Sequence, residues 1–133
     1  MNLGDRGLQL TRSFRALKLW WSLRAFGVEA FRTAVEHSLE LAAHAARLVE
    51  QHPQLELLAP PSLGIVCFRR VVPGGSEEEH EAVNAALVAA LEDGGTALAT
   101  STRVRGTYAL RLCVMNDTCE RADVERVVGF LAS

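Results

Sequence analysis

Ten residues, Leu63-Gly-Ile-Val-Cys-Phe-Arg-Arg-Val-Val72, constrain the fold of this chain more than any other stretch. They are mostly apolar and rich in β-branched side chains, and they lie between Pro60-Pro61 and Pro73-Gly-Gly75. Such a run predicts a well-buried strand. The flanking prolines cannot donate to a ladder, so they mark its edges or turns. A strand of this kind must be paired and covered, and the remaining sequence has to supply both the partners and the cover.

Helical periodicity supplies the cover. From about Thr11 to Ala25, Phe14, Leu17, Trp20 or Trp21, and Leu23 recur at helical spacing with arginines opposite, which predicts an amphipathic helix ending near Gly27. A second helix is expected from Val28 to about Gln51, with Phe31, Val35, Leu39, Ala42, Ala46 and Val49 on one face and Pro53 just past its end. Leu55 to Ala59 suits a short extended piece. Ser76-x-x-Glu79 has the form of a capping box and opens a helix through Leu91 that stops near Gly94-Gly95. Thr96–Ser101 and Thr107–Val114 read as two β segments joined by a hairpin turn around Arg103-Val-Arg-Gly106. Asp117 or Thr118 is expected to cap a last helix through Leu131.

This order is two helices, strand, helix, two strands, helix. It predicts an α+β fold: a small, mostly antiparallel sheet covered by helices, preceded by a helical pair. With 133 residues and 49% apolar against 23% charged content, one compact core is expected. The helical start (about 11–51) and the α/β part (about 55–133) are therefore read as one domain, 1–133.

A formal charge of −2 gives no broad attraction for nucleic acid or anionic membrane. Cys67, Cys113 and Cys119 are odd in number and lack Cys-x-x-Cys spacing, so neither a disulfide framework nor a zinc ribbon is indicated, and a reducing cytoplasm is the expected location. Met1-Asn-Leu-Gly-Asp-Arg6 lacks the apolar core of a signal peptide, and no run approaches the roughly 18 apolar residues of a membrane span.

Three stretches carry a family resemblance. Arg12-Ser-Phe-Arg-Ala-Leu-Lys-Leu-Trp-Trp21 is similar to the Arg-x-Leu-Lys-x-Trp run that opens the C-terminal domain of pyridoxal-phosphate-dependent group II amino-acid decarboxylases, the family of the aromatic-amino-acid and histidine decarboxylases. Gly64-Ile-Val-Cys-Phe-Arg69 resembles that family's Gly-x-Val-Cys-Phe-Arg strand. Leu110-Arg-Leu-Cys-Val-Met-Asn116, followed by Thr118 and Asp123-Val124, resembles its Leu-Arg-x-Cys-x-x-Asn strand and Thr-x-x-Asp-Val ending. The three occur in the family's order and span nearly the whole chain.

The resemblance implies the small C-terminal domain of a fold-type-I enzyme, packed on an N-terminal cofactor domain, helping to close the substrate cleft, and working as a homodimer with active sites near the subunit interface. It also implies pyridoxal phosphate in the full-length enzyme and none bound by this chain alone. Arg111 lies on the matching strand and is the first candidate for substrate binding. A guanidinium there can form paired, charge-assisted bonds with a carboxylate or hold a neighbouring loop, and a structural ion pair is the competing reading. A departing carboxylate must not be held more strongly in the ground state than in the transition state, which limits what such an arginine does. Thr11 is the second candidate: the family places Gly or Ser before an Arg-Arg-Phe-Arg run at the pocket edge, whereas this chain has Thr11-Arg-Ser-Phe-Arg15. A helix N-cap is the competing role.

No catalytic, cofactor-binding or metal-binding residue is assigned. Lys18, the single lysine, lies in a helical Leu-Lys-Leu run, whereas the family's cofactor lysine follows a histidine, and no His-Lys pair occurs here. His37 and His44 fall near one helical face but lack a third ligand, so these and the other histidines, His52 and His80, are read as surface or half-buried groups. Cys67 and Cys113 are read as core residues, and Glu77 to Glu81 as a solvated first helical turn. Neighbouring Trp20 and Trp21 point about 100° apart on a helix, so at least one is expected on a docking surface. The expected function is thus the C-terminal part of an amino-acid decarboxylase, inactive alone. The alternative is a non-catalytic interaction or regulatory module that self-associates. An independent hydrolase or redox enzyme ranks last, for want of a nucleophile–base constellation.

Overall fold

A computed structural model describes residues 14–95, 97 and 99–133. The chain divides into two compact units, Met1–Thr33 and Ala34–Ser133. Helix α1 (Arg15–Gln51) runs through the division, and within it Gly27 leaves helical geometry at φ 80° and ψ 160°. The helix break expected at Gly27 is therefore present as a kink.

In the first unit none of the described residues is buried. Phe14, Trp20, Trp21 and Phe26 are each more than half exposed. The two tryptophan rings lie 5.9 Å apart at 51°.

The second unit builds its core from the rest of α1 and from six further elements: β1 (Leu55–Leu57), β2 (Ile65–Arg70), α2 (Glu77–Asp93), β3 (Thr100–Val104), β4 (Thr107–Cys113) and α3 (Arg121–Ala132). The strands form one antiparallel sheet in the order β1-β2-β4-β3. Strand residues alternate between faces, and one face presents Leu55, Val66, Phe68, Leu110 and Leu112 to the core. Against it pack Leu41, Ala42, Ala45, Ala46 and Val49 of α1, Leu91 of α2, and Val124, Val127, Val128 and Leu131 of α3. The α1 and α3 sets recur every three to four residues, as a helix needs to bury one stripe.

Polar groups close the open ends of these elements. Ser76 Oγ accepts from the Glu79 N–H and the Glu79 carboxylate accepts from the Ser76 N–H, so the capping box is formed. The β2–β4 ladder ends at Phe68↔Leu110. Beyond it, Asn84 of α2 takes over: its Oδ1 accepts from Arg70 N–H and its Nδ2 donates to Arg70 O, each at 2.8 Å. Asn84 is fully buried and these bonds are what make that tolerable.

Several expectations need correction. The strand read as well buried over Leu63–Val72 is shorter, and only Val66 and Phe68 are buried. Leu63 and Gly64 are spent on a tight turn closed by reciprocal bonds between Ser62 and Ile65. Gly64 is confined by close approach, since a Cβ there would lie 2.4 Å from Val114 O. Among the described residues β3 runs over Thr100–Val104, past the expected end at Ser101, with Thr96 outside the described residues, and the turn is only Arg105-Gly106, both at positive φ, which suits the twist of a two-residue hairpin. The last helix is capped at Glu120, whose N–H donates to the Asp123 carboxylate at 3.0 Å. Thr118 instead donates to Asn116 Oδ1 within the preceding turn. Cys67 and Cys113 are not core residues: strand alternation turns them to the face opposite Phe68 and Leu112, where both are half-buried.

Candidate functional site

The sheet face away from the helices carries Cys67 and Arg69 from β2, Ala109, Arg111 and Cys113 from β4, and Thr100 and Thr102 from β3. Of these only Ala109 is buried. Arg111 stands in the middle, paired in register with Cys67 on one side and Thr100 on the other. Its Nε–H donates to Thr100 Oγ1 at 3.0 Å. Among the described residues no carboxylate pairs with it. The structural ion pair that competed with a binding role is thus not found among those residues. A half-buried guanidinium whose described partner is a neutral hydroxyl keeps donors with which it can receive an anion.

Burial pushes the Cys67 thiol pKa up. The Arg111 charge opposes that rise and Cys113 adds to it. Burial likewise raises Cys119, with help from Asp123 and Glu120. Both groups are therefore held as neutral thiols, poor nucleophiles at neutral pH. Cys67 beside Arg111 contributes shape without discharging it.

Neighbouring charged groups are already committed. Arg69 donates from Nε to Glu56 at 2.7 Å and from Nη1 to Glu77 at 2.9 and 3.0 Å. The hydrogen bond from Arg69 and its charge hold the Glu77 carboxyl below its ordinary range, so the first turn of α2 is more than a solvated acidic run. Arg103 makes a forked contact to Glu81 at 2.6 and 2.7 Å and tethers the hairpin to α2. His80 is buried, not half-buried as expected, with Nε2 3.1 Å from Val72 O and Nδ1 3.6 Å from Glu77 Oε1. His37 and His44 tie α1 to the α3 region, through Cys119 O at 2.7 Å and Glu125 Oε1 at 3.0 Å. His52 Nδ1 accepts from Gln54 N–H just past α1.

Thr11 lies outside the described residues. Lys18 is exposed on α1, with its carbonyl accepting from Ser22 Oγ. The residues lining the hollow beside it are Leu17, Trp21 and Ser22. None of the residues lining that hollow is a carboxylate for a pyridine nitrogen or, Lys18 aside, a cation for a phosphate, so the surroundings of Lys18 do not fit pyridoxal phosphate. A groove of about 400 Å³ near the end of β4 and α3 is lined by Val114, Met115, Asn116, Cys119 and Asp123, and Arg111 takes no part in it. Sequence reading singled out Arg111 and not its partner Thr100. The signal was available, because a two-residue turn at Arg105-Gly106 sets residue 111 opposite residue 100.

Helices on one face of a four-stranded antiparallel sheet, with an arginine aimed off the other, define a small α+β domain that presents a cationic group outward. Residues 1–71 match the pyridoxal-dependent decarboxylase conserved domain. The chain belongs to the pyridoxal-dependent decarboxylase family. It is 35% identical to an aromatic-L-amino-acid decarboxylase of Bacillus atrophaeus over 117 residues, which is 87% of this chain and 24% of that protein. Its fold matches Catharanthus roseus tryptophan decarboxylase in complex with L-tryptophan at a TM-score of 0.78 and 33% identity, over 92% of this chain and 27% of that one. It also matches Oryza sativa TDC with PLP and tryptamine at 0.83 and 27% identity, over 98% and 29%. The chain thus spans about a quarter of the length of the relatives it matches.

Proposed function

We propose that this chain is the C-terminal domain of a pyridoxal-phosphate-dependent L-amino-acid decarboxylase and does not catalyse alone. The observation that carries the reading is its match, along 92% of its length, to about a quarter of a solved tryptophan decarboxylase. Residues 1–133 act as one domain of the assembled enzyme, packed on the cofactor domain and helping to close the substrate cleft. The exposed aromatic residues Phe14, Trp20, Trp21 and Phe26 suit such packing and contacts within a homodimer. Three free cysteines suit the reducing cytoplasm.

Within that enzyme, Arg111 orients a substrate carboxylate, and Thr11 contacts the substrate at the pocket edge. The half-buried guanidinium, which meets no carboxylate among the described residues, supports the first assignment. Electron-sink chemistry belongs to the cofactor, held by the portion of the enzyme outside this chain. Arg111 acts by orientation: a carboxylate held in one place fixes which bond of the α-carbon is aligned for cleavage.

Mixing the chain with pyridoxal phosphate and trapping with borohydride tests its dependence on the rest of the enzyme. The expected result is no specific adduct and no turnover; a stoichiometric Lys18 adduct with turnover overturns the proposal. The same exposed aromatic surface favours one other reading, a self-associating interaction module. Genomic DNA upstream of the Met1 codon decides between them. An in-frame segment encoding a His-Lys cofactor motif supports the enzyme, and a stop codon with a separate promoter supports the module.

A further inference from the structure

We propose that Thr100 is a positioning residue for Arg111, occupying its Nε–H so that a carboxylate is received end-on by Nη1 and Nη2. The inference rests on the reading of Arg111 as a carboxylate-binding residue.

A guanidinium can offer a carboxylate two parallel N–H groups in two main ways: from the side, through Nε and one Nη, or from the end, through both Nη atoms. In Arg111 the side-on edge is engaged, because Nε–H donates to Thr100 Oγ1 at 3.0 Å. Thr100 sits directly across the β3–β4 ladder from Arg111. Its β-branched side chain has restricted χ1 freedom, so the acceptor is held by a stiff arm. On the other side, the register partner of Arg111 is Cys67, whose thiol is kept neutral by burial.

Comparison with the neighbouring arginines explains why a hydroxyl matters. Arg69 uses Nε and Nη1 on two glutamates, and Arg103 gives Nη2 to a third. Those carboxylates both aim and neutralise their arginines. A threonine hydroxyl aims Arg111 and leaves its positive charge unspent. Replacing it with a carboxylate would turn the residue into another tether.

The test is NMR of the arginine Nε–H groups of the full chain, alone and during titration with phenylacetate as a carboxylate probe. Without probe, a slowly exchanging Arg111 Nε–H is expected, lost in Thr100→Val and kept in Thr100→Ser. Valine is a good strand former of similar shape, so the sheet is expected to survive. Phenylacetate is expected to bind Thr100→Val about tenfold more weakly than the wild type and Thr100→Ser within about twofold of it, in keeping with a lost hydrogen bond to a charged group. A protected Nε–H that persists in Thr100→Val, or is missing from the wild type, overturns the proposal with no ligand involved. Equal phenylacetate affinity in Thr100→Val and wild type overturns the positioning role while the binding role of Arg111 stands. Unchanged phenylacetate binding in Arg111→Leu sinks the carboxylate reading itself, and this inference with it.

Discussion

The two faces of the sheet obey different rules. The helix-covered face is built from Val66, Phe68, Leu110 and Leu112, all fully or nearly buried against three helices. The opposite face carries Cys67, Arg69, Arg111, Cys113, Thr100 and Thr102, none of them buried, alongside the buried Ala109. The first holds the fold through apolar area removed from water. The second holds polar groups in fixed register at little risk to that core. One strand thus serves the core and an open polar surface with alternate residues.

The strongest way to break this comparison is to remove a side chain from each face. Phe68→Ala should lower unfolding free energy by about 3–5 kcal/mol, the usual loss for a buried phenylalanine, as read by urea denaturation. Loss of under about 1 kcal/mol would mean that the covered face does not hold the fold. Asn84→Ala is next. It strips Arg70 N–H and C=O of their partner beneath α2 and should remove about 2 kcal/mol, with amide exchange at Arg70 accelerating.

A pH experiment sharpens the comparison at the rim, where Arg69 of the open face reaches Glu77 of a covering helix. Arg69 holds the Glu77 carboxyl below its ordinary range. A carboxyl whose folded pKa is depressed binds protons more readily when unfolded, so its contribution is present above the unfolded pKa and is lost as pH falls through the folded one. Thermal melts from pH 7 to pH 2 should therefore show a smaller acid-side loss for Glu77→Gln than for the wild type. Identical slopes would rule the pair out as a source of acid sensitivity. The smallest effect belongs to the open face: Arg111→Leu should change unfolding free energy by no more than about 0.5 kcal/mol. A much larger loss would assign Arg111 to the scaffold.

Much of this was legible in the sequence, where local chemistry decides the outcome. The Ser76 capping box, the break at Gly27 and the antiparallel α+β order all follow from side chains acting within a few residues of themselves. Errors arose where a particular partner, across the sheet or within the same turn, decides between two locally acceptable outcomes. Cys67 and Cys113 are apolar enough to read as core, and only pairing reveals that they face away from it. Asp117 and Thr118 are good caps by type, yet Asn116 draws Thr118 into a turn and leaves Glu120 at the helix start. Arg111 stood out through a family resemblance, whereas Thr100 lay within an expected β segment and only the register of the hairpin sets it opposite Arg111.

The turn before β2 holds a final consequence, for mutational tolerance. Leu63 bears the positive φ of 52° and is largely exposed, while Gly64, beside it, stays out of that region and is pressed against Val114 O. The glycine stands one position away from the strained dihedral because the tighter steric demand claimed it first. The two sites should then answer replacement differently: position 63 accepts glycine or asparagine with a gain in stability, while any side chain at position 64 meets Val114 O.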